Sequence, residues 1–210
     1  VAGEISQGAK SGSAGIQQFN VFVDRDSSLS NMRTTNNDLE AVIVESLDGG
    51  EDGFLQLGMG GAGGIFDVQT FDATGMNNYV DLSATLGLTD DVGDTLGDID
   101  LFTKYFDLKD TQNDETDDNV EFEYSLTGFD DTLNLDVAEE AVAHEDLELD
   151  IDTGAGDDTV TTDLVDSVEG YLDTNWLEDQ QNLENLEIDT GSGDDWIWTV
   201  GAGDFEIDAG

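Results

Sequence analysis

The sequence predicts an all-β fold, a parallel β-solenoid with short helical insertions, with a β-sandwich as the alternative. Three observations carry this reading. Apolar residues recur at period two in Val21/Val23, Val42/Val44, Val120/Phe122/Tyr124 and Leu147/Leu149/Ile151, the spacing of one face of a strand. Such segments follow one another at roughly the ten-residue spacing of an all-β array. A Gly-Asp turn also recurs on strand-like flanks, as Thr153-Gly154-Ala155-Gly156-Asp157-Asp158 after Leu149-Asp150-Ile151-Asp152, and as Thr190-Gly191-Ser192-Gly193-Asp194-Asp195 after Leu186-Glu187-Ile188-Asp189.

Residues 1–15 are small and polar without an apolar period, which makes them a linker or an incoming edge. Residues 16–135 form an irregular solenoid-like region. It opens with a strand at Phe19–Val23, a turn at Asp24-Arg25-Asp26-Ser27-Ser28, an Asn/Thr turn at Thr34–Asn37 and a strand at Leu39–Val44. Further strands are expected at Phe54–Leu57, Ile65–Gln69, Tyr79–Leu82, Ile99–Phe102, Val120–Tyr124 and Leu133–Leu135. Gly58–Gly64 is a loop or bulge and not a phosphate cradle, because neither Lys-Ser/Thr nor a helix follows it. Asp110–Asp118 is an exposed acidic loop. Residues 136–210 hold the Gly-Asp turns and two helical candidates, Ala138–Asp146 and Asp163–Asp179, the second with Leu164, Val168, Leu172 and Trp176 at four-residue steps.

Fifty-one acidic residues face five basic ones, a net charge of -46 on 210 residues. A chain so acidic repels itself unless cations sit among its carboxylates, and it disfavours nucleic acid and anionic membrane as partners. Millimolar calcium outside a cell or molar salt would supply those cations, and the turns favour calcium. The absence of cysteine excludes disulfides and thiol chemistry. No run is long and apolar enough to span a bilayer, so membrane insertion is not expected. Val1-Ala2-Gly3-Glu4 carries neither an initiator Met nor a signal peptide, and Phe205–Gly210 repeats the lead-in Leu186–Gly191, which together suggest a piece of a longer repeat protein.

In the nonapeptide G-G-x-G-x-D-x-U-x, glycines permit left-handed turn conformations, Asp and turn carbonyls hold calcium, and the apolar U points inward. Gly154, Gly156, Asp158 and Val160 fit that pattern, as do Gly191, Gly193, Asp195 and Ile197, while Thr153 and Thr190 stand where the first glycine belongs. Here the chain resembles the hemolysin-type calcium-binding (RTX) repeat family. That resemblance implies a secreted protein whose repeats stack as a parallel β-roll with Ca2+ between successive turns. Gly201–Ile207 has Phe205 in place of the ligand Asp, and Gly128-Phe129-Asp130-Asp131-Thr132-Leu133 is one residue short of the motif. More loosely, Gly15–Val44 and Val68–Ala73 resemble long Gly/Asp-rich surface-layer and adhesin-like proteins, and similar sequences occur in phage particles.

The expected metal-site residues are therefore Gly154, Gly156, Asp157, Asp158, Gly191, Gly193, Asp194 and Asp195, with Ca2+ as the cofactor, bound in the weak extracellular range of about 10⁻⁴ to 10⁻³ M. Trp196 and Trp198 share one strand face, either packed against a neighbouring coil or the Asp163–Asp179 segment or forming a platform for surface glycans. His144 reads as solvated, Arg25 as a local ion pair, and no nucleophile–base motif is present, so no catalysis is expected. The expected function is a calcium-stabilised structural segment of a surface layer, adhesive stalk or filament, extracellular and associating with copies of itself. Two alternatives stand beside it: a capsid or tail component of a virion, and the calcium-binding region of a larger secreted enzyme.

Overall fold

The structure, a computed structural model, describes residues 2–7, 16–34, 38–58, 63–87, 120–137, 147–164, 183–201 and 203–210. In chain order the strands are β1 (Ala2–Gln7), β2 (Gln18–Val23), β3 (Ser27–Thr34), β4 (Ala41–Ser46) and β5 (Leu55–Leu57). They continue as β6 (Gly64–Phe66), β7 (Thr70–Gly75), β8 (Val80–Leu86), β9 (Val120–Ser125) and β10 (Thr132–Val137). The last are β11 (Leu147–Asp152), β12 (Thr159–Asp163), β13 (Leu183–Asp189), β14 (Trp196–Val200) and β15 (Gly203–Asp208). The fold is all-β, and no helix occurs among the described residues.

One sheet has the order β1-β3-β5-β8-β10-β12-β14, with β6 also pairing β3 and β8; the other has the order β15-β13-β11-β9-β7-β4-β2. Every pairing between these strands is parallel. From β7 onward each successive strand lies in the sheet opposite its predecessor. Two sheets built this way share one core, and the period-two pattern decides which side chains enter it.

In the second sheet one inward column runs by register through Phe19, Val42, Phe71, Tyr124, Ile151, Ile188 and Ile207. A second runs through Phe122, Leu149, Leu186 and Phe205. The first sheet answers with Leu29, Leu57, Leu82, Leu133, Val160 and Ile197. The middle members of these columns are buried, whereas Phe205 and Ile207 at the β15 edge are 39% and 46% exposed. Tyr124 keeps its hydroxyl in the core by donating to the Val68 carbonyl at 2.9 Å, as a buried phenol requires.

Several expected elements change. Residues 2–7, read as linker or edge, form an edge strand on β3. The turn expected at Asp24–Ser28 is confined to residues 24–26, and β3 starts at Ser27. Of the strand expected at Ile65–Gln69 only Ile65 and Phe66 are strand, in β6; it ends at Asp67, which has φ +47°, and β7 starts at Thr70. Strands β5 and β6 pair with the same two neighbours, β3 and β8, as two pieces of one interrupted strand. The expected Asp163–Asp179 helix begins inside β12, where Asp163 pairs with Asp136 and Val200, and Leu164 is buried beyond it. The remainder of that segment, like Ala138–Asp146, Ile99–Phe102, Asp110–Asp118, His144 and Trp176, lies outside the described residues.

Candidate functional site

The two Gly-Asp turns connect β11 to β12 and β13 to β14, and both strand pairs are neighbours in their sheets, so the turns lie one upon the other. Backbone bonds stitch them together: the Gly156 amide donates to the Ser192 carbonyl at 3.0 Å and the Ser192 amide to the Gly154 carbonyl at 3.3 Å. All eight expected residues, Gly154, Gly156, Asp157, Asp158, Gly191, Gly193, Asp194 and Asp195, are thereby brought into one column. The short motif at Thr127–Asp131, between β9 and β10, forms the next layer beyond Thr153–Asp158.

The glycines are dictated by this stacking. A Cβ on Gly191 would overlap the Gly154 carbonyl oxygen, and one on Gly193 would overlap the Gly156 carbonyl oxygen. Gly154 and Gly191 also have φ of +91° and +64°, where a side chain is strained.

The paired aspartates divide into two ladders. In the inner one, each carboxylate accepts the backbone N–H of the equivalent position one layer earlier. Val80 donates to Asp131 Oδ1 at 2.6 Å, Asp131 to Asp158 Oδ1 at 2.8 Å, and Asp158 to Asp195 Oδ1 at 2.9 Å. The second oxygen takes the hydroxyl of the threonine that opens the same turn: Thr127 to Asp131 at 2.7 Å, Thr153 to Asp158 at 2.7 Å, and Thr190 to Asp195 at 3.0 Å. In the outer ladder the direction reverses, with the Asp157 amide donating to Asp130 Oδ1 at 2.9 Å and the Asp194 amide to Asp157 Oδ1 at 3.0 Å. The Asp157-Asp158 pair thus holds the layers on both sides of it.

Thr153 and Thr190, which depart from the nonapeptide, are hydroxyl donors to the inner aspartate five residues later. The Thr127–Asp131 turn performs the same function with one residue fewer. The signal in the sequence was the Thr-to-Asp spacing, which the calcium motif does not contain.

Burial separates the two ladders chemically. Asp131 and Asp158 are buried, while Asp130, Asp157 and Asp194 are exposed. Desolvation pushes the Asp131 carboxyl up to about 6 against the pull of its Val80 and Thr127 donors, with the Asp158 charge adding to the rise. Asp158 is also raised, first by burial and then by the carboxylates of Asp195 and Asp130.

Among the described residues no group of three or more Asp, Glu or His side chains converges to hold a metal ion. Both carboxylate oxygens of Asp131, Asp158 and Asp195 already accept protein hydrogen bonds, which ties the inner ladder to locking the turns. Of the turn acids, the exposed Asp130, Asp157 and Asp194 are the ones open to a cation from solvent.

Beside the turns, Trp196 and Trp198 lie on the outer face of β14, 51% and 55% exposed, with ring centroids 5.8 Å apart and planes at 81°. Arg25 lies 3.5 Å from Asp24 and 3.6 Å from Glu51 on the surface, an arrangement that contributes little to stability. No family model, curated protein or solved structure matches the chain.

Proposed function

We propose that the chain is a segment of an extracellular structural protein, a parallel β-solenoid whose stacked coils form part of a surface layer, adhesive stalk or filament. The observation that carries this reading is the turn column. Three successive layers repeat one Thr/Asp hydrogen-bonding device that holds layer upon layer. The strand alternation between two all-parallel sheets supports the solenoid, since stacked supersecondary units bury a continuous core only against their neighbours.

Calcium belongs to this reading as the counter-ion of the exposed acids, held at Asp130, Asp157 and Asp194. Folding then depends on the cation supply, and export into millimolar calcium is what completes the fold. Circular dichroism of the chelated chain, followed by calcium, magnesium and sodium titrations at matched ionic strength, tests it. β signal that calcium restores at millimolar concentration, and that the other ions do not, supports the calcium-dependent form. A chain fully folded after chelation refutes calcium dependence, and an elongated particle in small-angle scattering is required for the solenoid to stand.

A further inference from the structure

The two outward faces of the molecule differ in chemistry. On the second sheet, outward columns such as Glu123, Asp150, Glu187 and Glu206 are wholly acidic. On the first sheet, the register sets Thr132, Thr159 and Trp196 in one outward column and Asn134, Thr161 and Trp198 in the next. These six neighbours carry no charge in a chain of net charge -46, and carboxylates border them at Asp81, Asp136 and Asp163. We infer that this uncharged patch binds a neutral glycan whose hexose rings carry equatorial hydroxyls. One ring stacks on the indole pair, and its neighbours in the glycan hydrogen-bond to the threonines and Asn134. The site goes beyond the structural role proposed above and needs only the first sheet to be formed.

Three observations carry it. First, both indoles are about half-exposed on the outward side of β14. A further strand pairing with β14 would take its backbone edge, in the plane of the sheet, and leave that outward face open. The rings meet edge to face, with centroids 5.8 Å apart and planes at 81°, so they cannot both lie flat on the sheet, and one presents its face while the other braces it. An indole face is electron-rich and attracts slightly positive C–H bonds, and a hexose with equatorial hydroxyls turns a whole side of C–H bonds toward it. Second, the side chains of Thr132, Asn134, Thr159 and Thr161 make no hydrogen bond to another described residue, whereas the turn hydroxyls of Thr127, Thr153 and Thr190 all donate to aspartate. With the rings they span about 10 Å across three strands and about 7 Å along them, the scale of a short oligosaccharide. Third, charge selects the ligand. The chain as a whole repels an anionic glycan, and the acid columns of the second sheet draw a cationic one, so a neutral glycan is the one matched to this patch.

The test is tryptophan fluorescence and isothermal titration calorimetry of the chain with cellohexaose and N-acetylchitohexaose, both neutral with equatorial hydroxyls. Oligogalacturonate serves as the anionic comparison and chitosan oligosaccharide as the cationic one, each at low and molar sodium chloride, with circular dichroism on every sample. Expected is saturable binding of a neutral hexasaccharide that changes by less than about two-fold between the two salt concentrations. The double variant Trp196→Ala/Trp198→Ala should weaken it about ten-fold or more. Thr161→Ala should weaken it about three-fold; it keeps both rings and tests the site even where the double variant loses its β signal.

A β-folded chain that binds neither neutral hexasaccharide overturns the inference. Binding undiminished in both variants overturns it by placing the glycan elsewhere, and binding of chitosan alone that molar salt abolishes overturns it in favour of the acid columns. Concentration-dependent self-association in sedimentation, lost in the double variant and accompanied by no glycan binding, gives the face to a second copy. Loss of the β signal in the unaltered chain overturns the sheet on which the site stands, which separates failure of the fold from failure of the site.

Discussion

Replacing Asp131 with Asn isolates the titration of the inner ladder. The Asp131 carboxyl is 1% exposed and raised to about 6 from an ordinary 3.8. Between those values the native state binds a proton that the unfolded chain has released, so stability falls as pH rises through this window. A shift of about two pK units corresponds to about 3 kcal/mol, fully present below pH 4 and lost by about pH 7. Asp158, raised in the same direction, adds to the slope. Asp131→Asn keeps an acceptor for the Val80 amide but cannot titrate, and it loses an acceptor for the Thr127 amide. Urea unfolding of both chains from pH 4 to 7, at constant high salt to suppress general charge repulsion, gives the difference between them at each pH. That difference should move by about 3 kcal/mol in favour of the variant as pH rises. A difference that stays flat across the window would refute burial as the dominant influence on Asp131.

Gly193→Ala places a methyl against the Gly156 carbonyl and should cost about 2 kcal/mol or more, whereas Gly128→Ala, with open space around it, should change stability by less than about 0.5 kcal/mol; thermal melts of the pair check the contrast. Thr153→Val and Thr190→Val remove hydroxyl donors to Asp158 and Asp195 and should each cost about 1 to 3 kcal/mol in urea unfolding. Asp150 is raised first by burial and then by Glu121, Asp152 and Asp189. Asp150→Asn should accordingly raise the melting temperature at low salt, and the gain should shrink in molar salt, where exposed charges are screened.

Much of the β architecture was legible because a strand with one buried face writes its alternation into the sequence. Val42/Val44, Phe122/Tyr124 and Leu149/Ile151 are all buried as the period required. Strand β3 was not legible for a local reason. Its apolar residues Leu29 and Met32 are three apart, because Ser30 is an extra residue where the pairing with β1 shifts register. A bulge of that kind erases period two without ending the strand. Single-sequence reading also placed the Gly-Asp turns correctly on strand ends but left the first far upstream of the second. Only the sheet order shows that the chain between them returns to the same edge and brings Ala155 beside Ser192.

The two aspartates of each turn look equivalent in sequence, and parallel stacking makes them different. With neighbouring strands about 4.8 Å apart, a repeat sets like residue over like, so any exposed acid becomes a column of acids. Glu123, Asp150, Glu187 and Glu206 form one such column on the outer face of the second sheet. Two like charges at that separation repel by about 0.9 kcal/mol in water, and by more where water is excluded. An inner aspartate offsets part of this cost because each carboxylate accepts an amide of the layer before it, although Asp158 still raises Asp131, and Asp195 and Asp130 still raise Asp158. Along the strand faces the ladder amides are paired within the sheet, so the Glu123, Asp150, Glu187 and Glu206 column sets acid beside acid. The inner ladder therefore meets part of its charge with turn amides, while the outer turn acids Asp130, Asp157 and Asp194 and the strand faces are left to the surrounding cations, and the stability of this chain should vary with ionic conditions through both.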